Sequence, residues 1–283
     1  MTGIFMCIKT IWIRKYQQEV PCGKCYECVK RRRNDWYVRC VIQSRKSRYT
    51  YFGLLTYAEV GQDLVKRDVQ LFLKRLRSYG YVFSYLIVGE HGEKNDRPHW
   101  HCLFFTDSGM RYAHISKAWR GGYETDGDRN KAGWIRFEPI RSFRSIRYTV
   151  KYLYKYDGVD PRFELMASKN PAIGSSFLVN QAFFLTRRSA EFTLDGQKIA
   201  MPRYYKRKIF GDYDDIKEEV NAALAVKVAE IAENELSLAR SKYPELSDDE
   251  LIFVIRNNKY EYGESVRKSE SRSRRLRKAQ FCT

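Results

Sequence analysis

Residues 81–105 read YVFSYLIVGEHGEKNDRPHWHCLFF, and this stretch decides the fold. Two apolar runs, 81–90 and 99–105, flank a polar loop over 91–98 that holds Gly92, Asn95, Asp96 and Pro98. Turn residues between apolar runs are the signature of a hairpin, and strands apolar at nearly every position are covered on both faces. Side chains alternate across a strand, so His99 and His101 share one face while Trp100 and Cys102 share the other. Glu90 closes the first run and His99 opens the second; direct pairing would put their Cβ atoms about 5 Å apart on one face. The chain has 4 histidines in 283 residues, so two of them one residue apart at the mouth of a hairpin call for a reason. Two imidazoles and a carboxylate would form a three-ligand metal site with open positions, as catalytic rather than structural centres do. On the histidines alone, hydrogen bonding at a sheet edge explains the pattern equally well; Glu90 moves the balance toward metal.

Outward from the hairpin, periodicity gives the neighbouring elements. YTYFGLLTY (49–57) is aromatic and β-branched and predicts a strand. Leu64, Val65, Val69, Phe72, Leu73 and Leu76 recur at helical spacing up to Gly80, a stop signal. VKRRRNDWYVRCVIQSRKSR (29–48) reads as a basic helix, HISKAWR (114–120) as a short helix, GWIRFEPI (133–140) as a strand, and 142–156 as a helix cored by Ile146, Val150 and Leu153. This order predicts an α+β fold, a mainly antiparallel central sheet flanked by helices. Residues 157–212 read as loop-rich, 214–242 as a long helix, SDDELIFVIR (247–256) as a shorter capped helix, and the Arg-dense tail as flexible until it meets phosphate. The expected organisation is a Cys-rich, basic element over 1–45, a core over 46–160, a loop-rich extension over 161–212 and a helical region over 213–283.

Lys+Arg 52 against Asp+Glu 34 gives a net charge of +18, which favours a polyanionic partner, nucleic acid ahead of anionic membrane. No apolar run is long enough to span a membrane, and Lys9 and Arg14 interrupt the apolar start, so a soluble intracellular protein is expected. The 7 cysteines agree with a reducing compartment: Cys7 and the run PCGKCYEC, with Cys22, Cys25 and Cys28, point to metal more than to disulfides. Four thiolates would complete a tetrahedral zinc site, with Gly23 and Lys24 in a knuckle that turns backbone amides toward sulfur. Cys40 is an alternative to Cys7, an iron–sulfur cluster an alternative occupant, and unligated thiols in a turn the plain alternative.

In RYTVKYLYKY (147–156), Tyr148 and Tyr152 are four apart, as are Lys151 and Lys155, so Tyr-x-x-Lys occurs twice on one helical stripe. A phenol, with its ordinary pKa about 10, becomes nucleophilic when an ammonium or metal favours the phenolate. Ile146, Val150 and Leu153 already supply a core from another direction, so the tyrosine stripe faces something else.

A His-hydrophobic-His strand, an upstream Glu and a downstream helix with paired tyrosines and lysines resemble the HUH endonucleases of rolling-circle replication. The stretches VPCGKCYEC, LLTYAEV, GEHGEKNDRPHWH, YTVKYLYK, MASKNPAIG and LDGQKIAMPRYYKR resemble more closely the replication initiators of gokushovirus-like microviruses, small single-stranded DNA phages. Trp100 inside His-x-His, the irregular FGLLTY strand and the NPAIG loop depart from that pattern without touching a proposed ligand or nucleophile. The resemblance implies a ferredoxin-like or RRM-like endonuclease core, and Mg²⁺ or Mn²⁺ held by Glu90, His99 and His101. It implies tyrosine nucleophiles, Tyr152 for first cleavage and Tyr148 for the second, supported by Lys151 and Lys155. The implied partners are single-stranded or supercoiled phage origin DNA with host helicase and polymerase, in the host bacterial cytoplasm; no Gly-rich Lys-Ser/Thr phosphate loop occurs in the chain. Arg31, Arg32, Arg33, Arg97 and Arg111 are the candidates for backbone contacts, and Tyr57 and Trp100 for base stacking. Two other classes stay open: a zinc-containing nucleic-acid-binding protein without catalysis, and a metal-dependent phosphodiesterase that uses water.

Overall fold

The computed structural model describes residues 7, 10–58, 63–92, 97–121, 132–154 and 164–279. In chain order the elements are β1 (Thr10–Ile13), β2 (Gln18–Pro21), α1 (Tyr26–Lys46), β3 (Tyr49–Tyr57), α2 (Lys66–Ser78), β4 (Ser84–His91), β5 (Pro98–Thr106), α3 (Tyr112–Arg120), β6 (Ala132–Pro139), α4 (Arg144–Lys151) and β7 (Glu164–Ala167). They continue with α5 (Gln181–Arg187), β8 (Glu191–Leu194), β9 (Gln197–Ala200), α6 (Arg203–Phe210), α7 (Asp214–Lys242) and α8 (Asp248–Ala279). Residues 36–177 form one compact unit, and residues 1–35 with 178–283 form another.

The first unit is the expected α+β body. Its antiparallel sheet has the order β6-β3-β5-β4-β7, which puts the hairpin β4–β5 inside the sheet. Register sorts the side chains strictly. Tyr51, Leu55 and Tyr57 of β3, Ile87 of β4, Trp100, Cys102 and Phe104 of β5, and Ile135 of β6 turn to one face. There they form the main core with Val69, Phe72, Leu73 and Leu76 of α2 and Ile115, Ala118 and Trp119 of α3. Burial of each such large side chain stabilises by about 1.5–3 kcal/mol. Gly89 makes room for the bulky middle residue of His-x-His: a Cβ there would sit 2.7 Å from the Trp100 ring. The opposite face carries Phe52, Leu86, Val88, His101 and Leu103; α4 and the turn after it cover part of this face, through the buried Ile146, Val150 and Leu153.

Several elements differ from the sequence expectation. The tyrosine helix stops at Lys151 and tightens into a 3₁₀ turn over Tyr152–Tyr154, a usual way for a helix end to satisfy its last carbonyls. The segment expected to be loop-rich holds β7, which adds a fifth strand beside β4, and α5, α6 and the hairpin β8–β9. That hairpin turns on Asp195 and Gly196, both at positive φ, the requirement of a two-residue type I′ turn. The Arg-dense tail, expected to be flexible, continues α8 to Ala279; Arg, Lys, Glu and Ser follow Gly263 with no Pro or Gly to break the helix. The start of α8 is capped as expected, with Ser247 N and Oγ donating to Glu250 Oε2 at 2.8 and 2.7 Å.

Candidate active site

The pairing that the hairpin predicts is present: Glu90 lies opposite His99, and Val88 opposite His101. Glu90 Oε1 is 2.9 Å from His99 Nε2 and 3.2 Å from His101 Nε2, and all three residues are largely buried. One ligand atom from each lies within 4.8 Å of the others, so the three residues are a possible metal-binding group. His99 supplies a test of that fit. Its Nδ1 is 3.1 Å from the Arg97 carbonyl, which only accepts, so Nδ1 carries a proton and donates. In a neutral imidazole Nε2 then presents its lone pair to a carboxylate oxygen, and two acceptors at 2.9 Å require a proton or a cation between them. An imidazole held through Nδ1–H to a backbone carbonyl is also the usual support of a metal-ligating histidine. Two nitrogens and one oxygen, with space for further ligands, suit a divalent ion.

The tyrosine stripe faces this group. The Tyr152 ring stacks on His101 with centroids 4.0 Å apart and planes 8° from parallel. Tyr148 meets His101 edge-on at 5.6 Å and Tyr152 at 5.0 Å, and Phe52 closes the cluster 6.0 Å from Tyr148 and 6.3 Å from His101. Tyr148 is 48% exposed, leaving a way in from solvent. Lys151 is exposed at the end of α4, and Lys155 lies outside the described residues. Phe52 escaped the sequence reading; counting in twos from Leu55, whose face is apolar throughout, would have put it on the histidine side.

In the other unit, Cys7, Cys22, Cys25 and Cys28 converge with their sulfurs within 4.8 Å of one another, a second possible metal-binding group. Gly23, at φ +75, turns the knuckle, and the amides of Lys24 and Cys25 point at Cys22 Sγ at 3.4 and 3.3 Å while Cys22 N points at Cys7 Sγ at 3.2 Å. Burial raises the Cys22 thiol, but these amides outweigh it and leave the group at about 7, favouring thiolate. Cys7 takes the fourth place; Cys40 is apart from the cluster and fully buried, which pushes its thiol up to about 12.

The stacking candidates need correction. Trp100 and Tyr57 are buried in the main core, where Trp100 Nε1 donates to Tyr57 Oη at 3.2 Å and Tyr57 Oη donates to Asp68 at 2.9 Å. Neither presents a face to a base, because Trp100 has the opposite parity to His99 and His101. Arg31 and Arg32 are exposed on α1, Arg33 and Arg97 are half-buried, and Arg111 is exposed beside α3.

Residues 50–157 match a family model of replication-associated proteins, the ORF2 type. Replication-associated protein ORF4 of Chlamydia phage 1 is 26% identical over 255 residues, 77% of this chain and 61% of that protein. Replication-associated protein ORF2 of Spiroplasma virus 4 is 26% identical over 233 residues, 69% of each. Replication-associated protein VP4 of Bdellovibrio phage phiMH2K is 25% identical over 235 residues, 75% of this chain and 74% of that protein. This chain thus spans less than two thirds of the length of the Chlamydia phage protein. It is a relative of the microvirus replication-associated proteins, in line with the resemblance carried by its sequence motifs.

Proposed function

We propose that this relative of the microvirus replication-associated proteins initiates rolling-circle replication, nicking one strand of phage origin DNA and rejoining it through a 5′-phosphotyrosine. The observation that carries the reading is the stacking of Tyr152 on His101, 4.0 Å away, which sets a phenol beside the Glu90–His99–His101 group. A divalent ion, Mg²⁺ or Mn²⁺, held by these three residues would polarise the scissile phosphodiester and stabilise charge developing on its oxygens. Tyr152 attacks phosphorus: the phenol oxygen–phosphorus bond forms, the phosphorus–3′-oxygen bond breaks, and the phenol proton ends on the departing 3′-hydroxyl. The ester linkage conserves the energy of the broken bond, so a later attack by a 3′-hydroxyl rejoins the strand without ATP. Tyr148, one helical turn away, serves the second transfer. Lys151 supplies positive charge to phenolate and phosphate, and Lys155 is assigned the same role from the motif.

Catalysis belongs to residues 46–160 in this reading. The free 3′-end primes host polymerase, and host helicase unwinds the duplex. Arg97, Arg111 and the run Arg31–Arg32–Arg33 contribute phosphate contacts whose affinity falls with salt. The Cys7, Cys22, Cys25 and Cys28 group holds a structural Zn²⁺, as four thiolates favour. A phosphodiesterase using water would leave both tyrosines idle, and a zinc-containing binding protein would leave Glu90 and the histidines idle.

Covalent capture separates these readings. Full-length protein is incubated with single-stranded phage origin DNA and Mn²⁺ or Mg²⁺, then resolved by denaturing electrophoresis. A protein–DNA adduct that survives denaturation, with phosphotyrosine mapped to Tyr152 or Tyr148, is the expected result. Cleavage without an adduct overturns the tyrosine chemistry, and an adduct on Tyr154 or Tyr156 overturns the residue assignment.

A further inference from the structure

The sheet face that carries the histidines continues past them onto β6. Leu54 pairs with His101 on one side and Arg136 on the other, and Thr56 pairs with His99. Between Leu55 and Tyr57 the β3–β6 register slips: Leu55 pairs with Ile135 and Tyr57 with Ala132, so two β6 residues face Thr56. This is a β-bulge, a device that re-aims side chains at sheet edges. Its extra residue is accommodated where Thr56 Oγ1 donates to the Trp134 carbonyl at 2.8 Å and Gly133 passes so close that a Cβ would meet Thr56 and Tyr57 at 2.5 Å. Ile135 is buried in the main core, so its neighbours Trp134 and Arg136 turn to the histidine face. Trp134 is 61% exposed there, level with His99 and two strands away, about 10 Å at the usual strand spacing.

Arg136 links this edge to the tyrosines. Its guanidinium lies over the Phe52 ring, 6.0 Å from the centroid, and Phe52 in turn touches Tyr148 and His101. Glu138 Oε1 lies 2.6 Å from Arg136 Nη2, but both groups are about half exposed, and such a pair is worth at most about 1 kcal/mol. A phosphate can therefore compete for the guanidinium. An open indole beside an available arginine, on the nucleophile's face of a chain with net charge +18, matches a base and its phosphate. Only unpaired bases offer a ring face for such stacking.

We infer that Trp134 and Arg136 form a platform on which single-stranded DNA next to the cleaved phosphate is held, Trp134 by stacking on a base and Arg136 by contact with the backbone. The inference rests on the proposed nucleic-acid substrate, yet its test needs no cleavage. Full-length protein is titrated into fluorescein-labelled oligothymidylate without added divalent ion, and binding is read by anisotropy. Stacking is worth about 1–3 kcal/mol per base, so Trp134→Ala should weaken binding roughly 5- to 150-fold, while Trp134→Phe, which keeps an aromatic face, should stay close to wild type. Arg136→Gln should flatten the salt dependence by about 0.7 in log–log slope, one phosphate contact on a single strand. Oligothymidylate should quench tryptophan fluorescence in wild type and in Trp12→Phe, and lose most of that quenching in Trp134→Phe. Unchanged affinity in Trp134→Ala overturns the platform, as does equal weakening by Ala and Phe. An adduct-forming enzyme whose Trp134→Ala variant binds normally would remove the platform and keep the nuclease. Trp134-dependent binding in a protein that never forms an adduct would do the reverse.

Discussion

The two possible metal-binding groups are assembled in opposite ways. Glu90, His99 and His101 stand on adjacent strands inside a five-stranded sheet, and their positions follow from a register fixed by the buried core beneath them. The four cysteines come from Cys7 and a short knuckle beside the two-stranded pair β1–β2, where little apolar surface is available to hold them. A site organised by a core keeps its shape whether or not an ion is bound, whereas a knuckle draws its folding free energy from the ion itself. Loss of metal should therefore cost activity at the first site and structure at the second.

The largest effect that sharpens this contrast is expected at His101. His101→Ala should lower nicking by about 10³-fold or more while far-UV circular dichroism and oligothymidylate binding stay close to wild type, since phosphate contacts lie elsewhere. A variant that cuts at the wild-type rate would break the assignment. At the cysteine cluster, wild type should carry about one zinc by elemental analysis, and Cys25→Ser should lose it together with several kcal/mol of stability, out of the ~10–16 kcal/mol a structural zinc site can supply. Zinc-free protein with an undiminished melting temperature would erase the contrast. Gly89→Ala tests the core side of the comparison: its Cβ would strike the Trp100 ring at 2.7 Å, and overpacking of this kind costs about 1–3 kcal/mol. Trp100→Leu in the same chain should return part of that loss, measured by chemical denaturation, and a neutral Gly89→Ala would show that the core does not set the register. The smallest effect is at the start of α8, where hydrogen bonds from the Ser247 side chain and amide hold the Glu250 carboxyl below its ordinary range. A depressed carboxyl stabilises above its unfolded pKa, and that contribution disappears as pH falls through the folded value. Ser247→Ala should accordingly lower the melting temperature slightly at neutral pH and not in acid.

Sequence made the hairpin legible because a single fact, strand parity around a short polar loop, fixes both pairing and face. The same parity excludes Trp100 from any exposed role and assigns Trp134 to the histidine side, since Ile135 is core; aromatic content alone hid both. The 3₁₀ turn at Tyr152 was out of reach, because nothing in YLYK distinguishes a tightened last turn from a continuing helix. β7 is four residues, ELMA, with no alternation, and it becomes a strand only because β4 offers an open edge. The Asp195–Gly196 turn was legible by its chemistry and sat inside a segment whose polarity suggested loop.

The segment bearing the tyrosines leaves the sheet from β6 and returns to it at β7, the two outermost strands on opposite rims. Glu164, the first residue of β7, is further tied to Lys66 at 2.6 Å. Tyr148 and Tyr152 thus ride on a strap fastened at both ends rather than on a free arm. In rolling-circle replication the joined DNA end is pulled while the strand is displaced, and tension on Tyr152 would load both rims together, along the strands. Hydrogen bonds loaded in that direction must yield as a group, so the strap lets the protein bear a mechanical load without letting its nucleophile drift from the histidines.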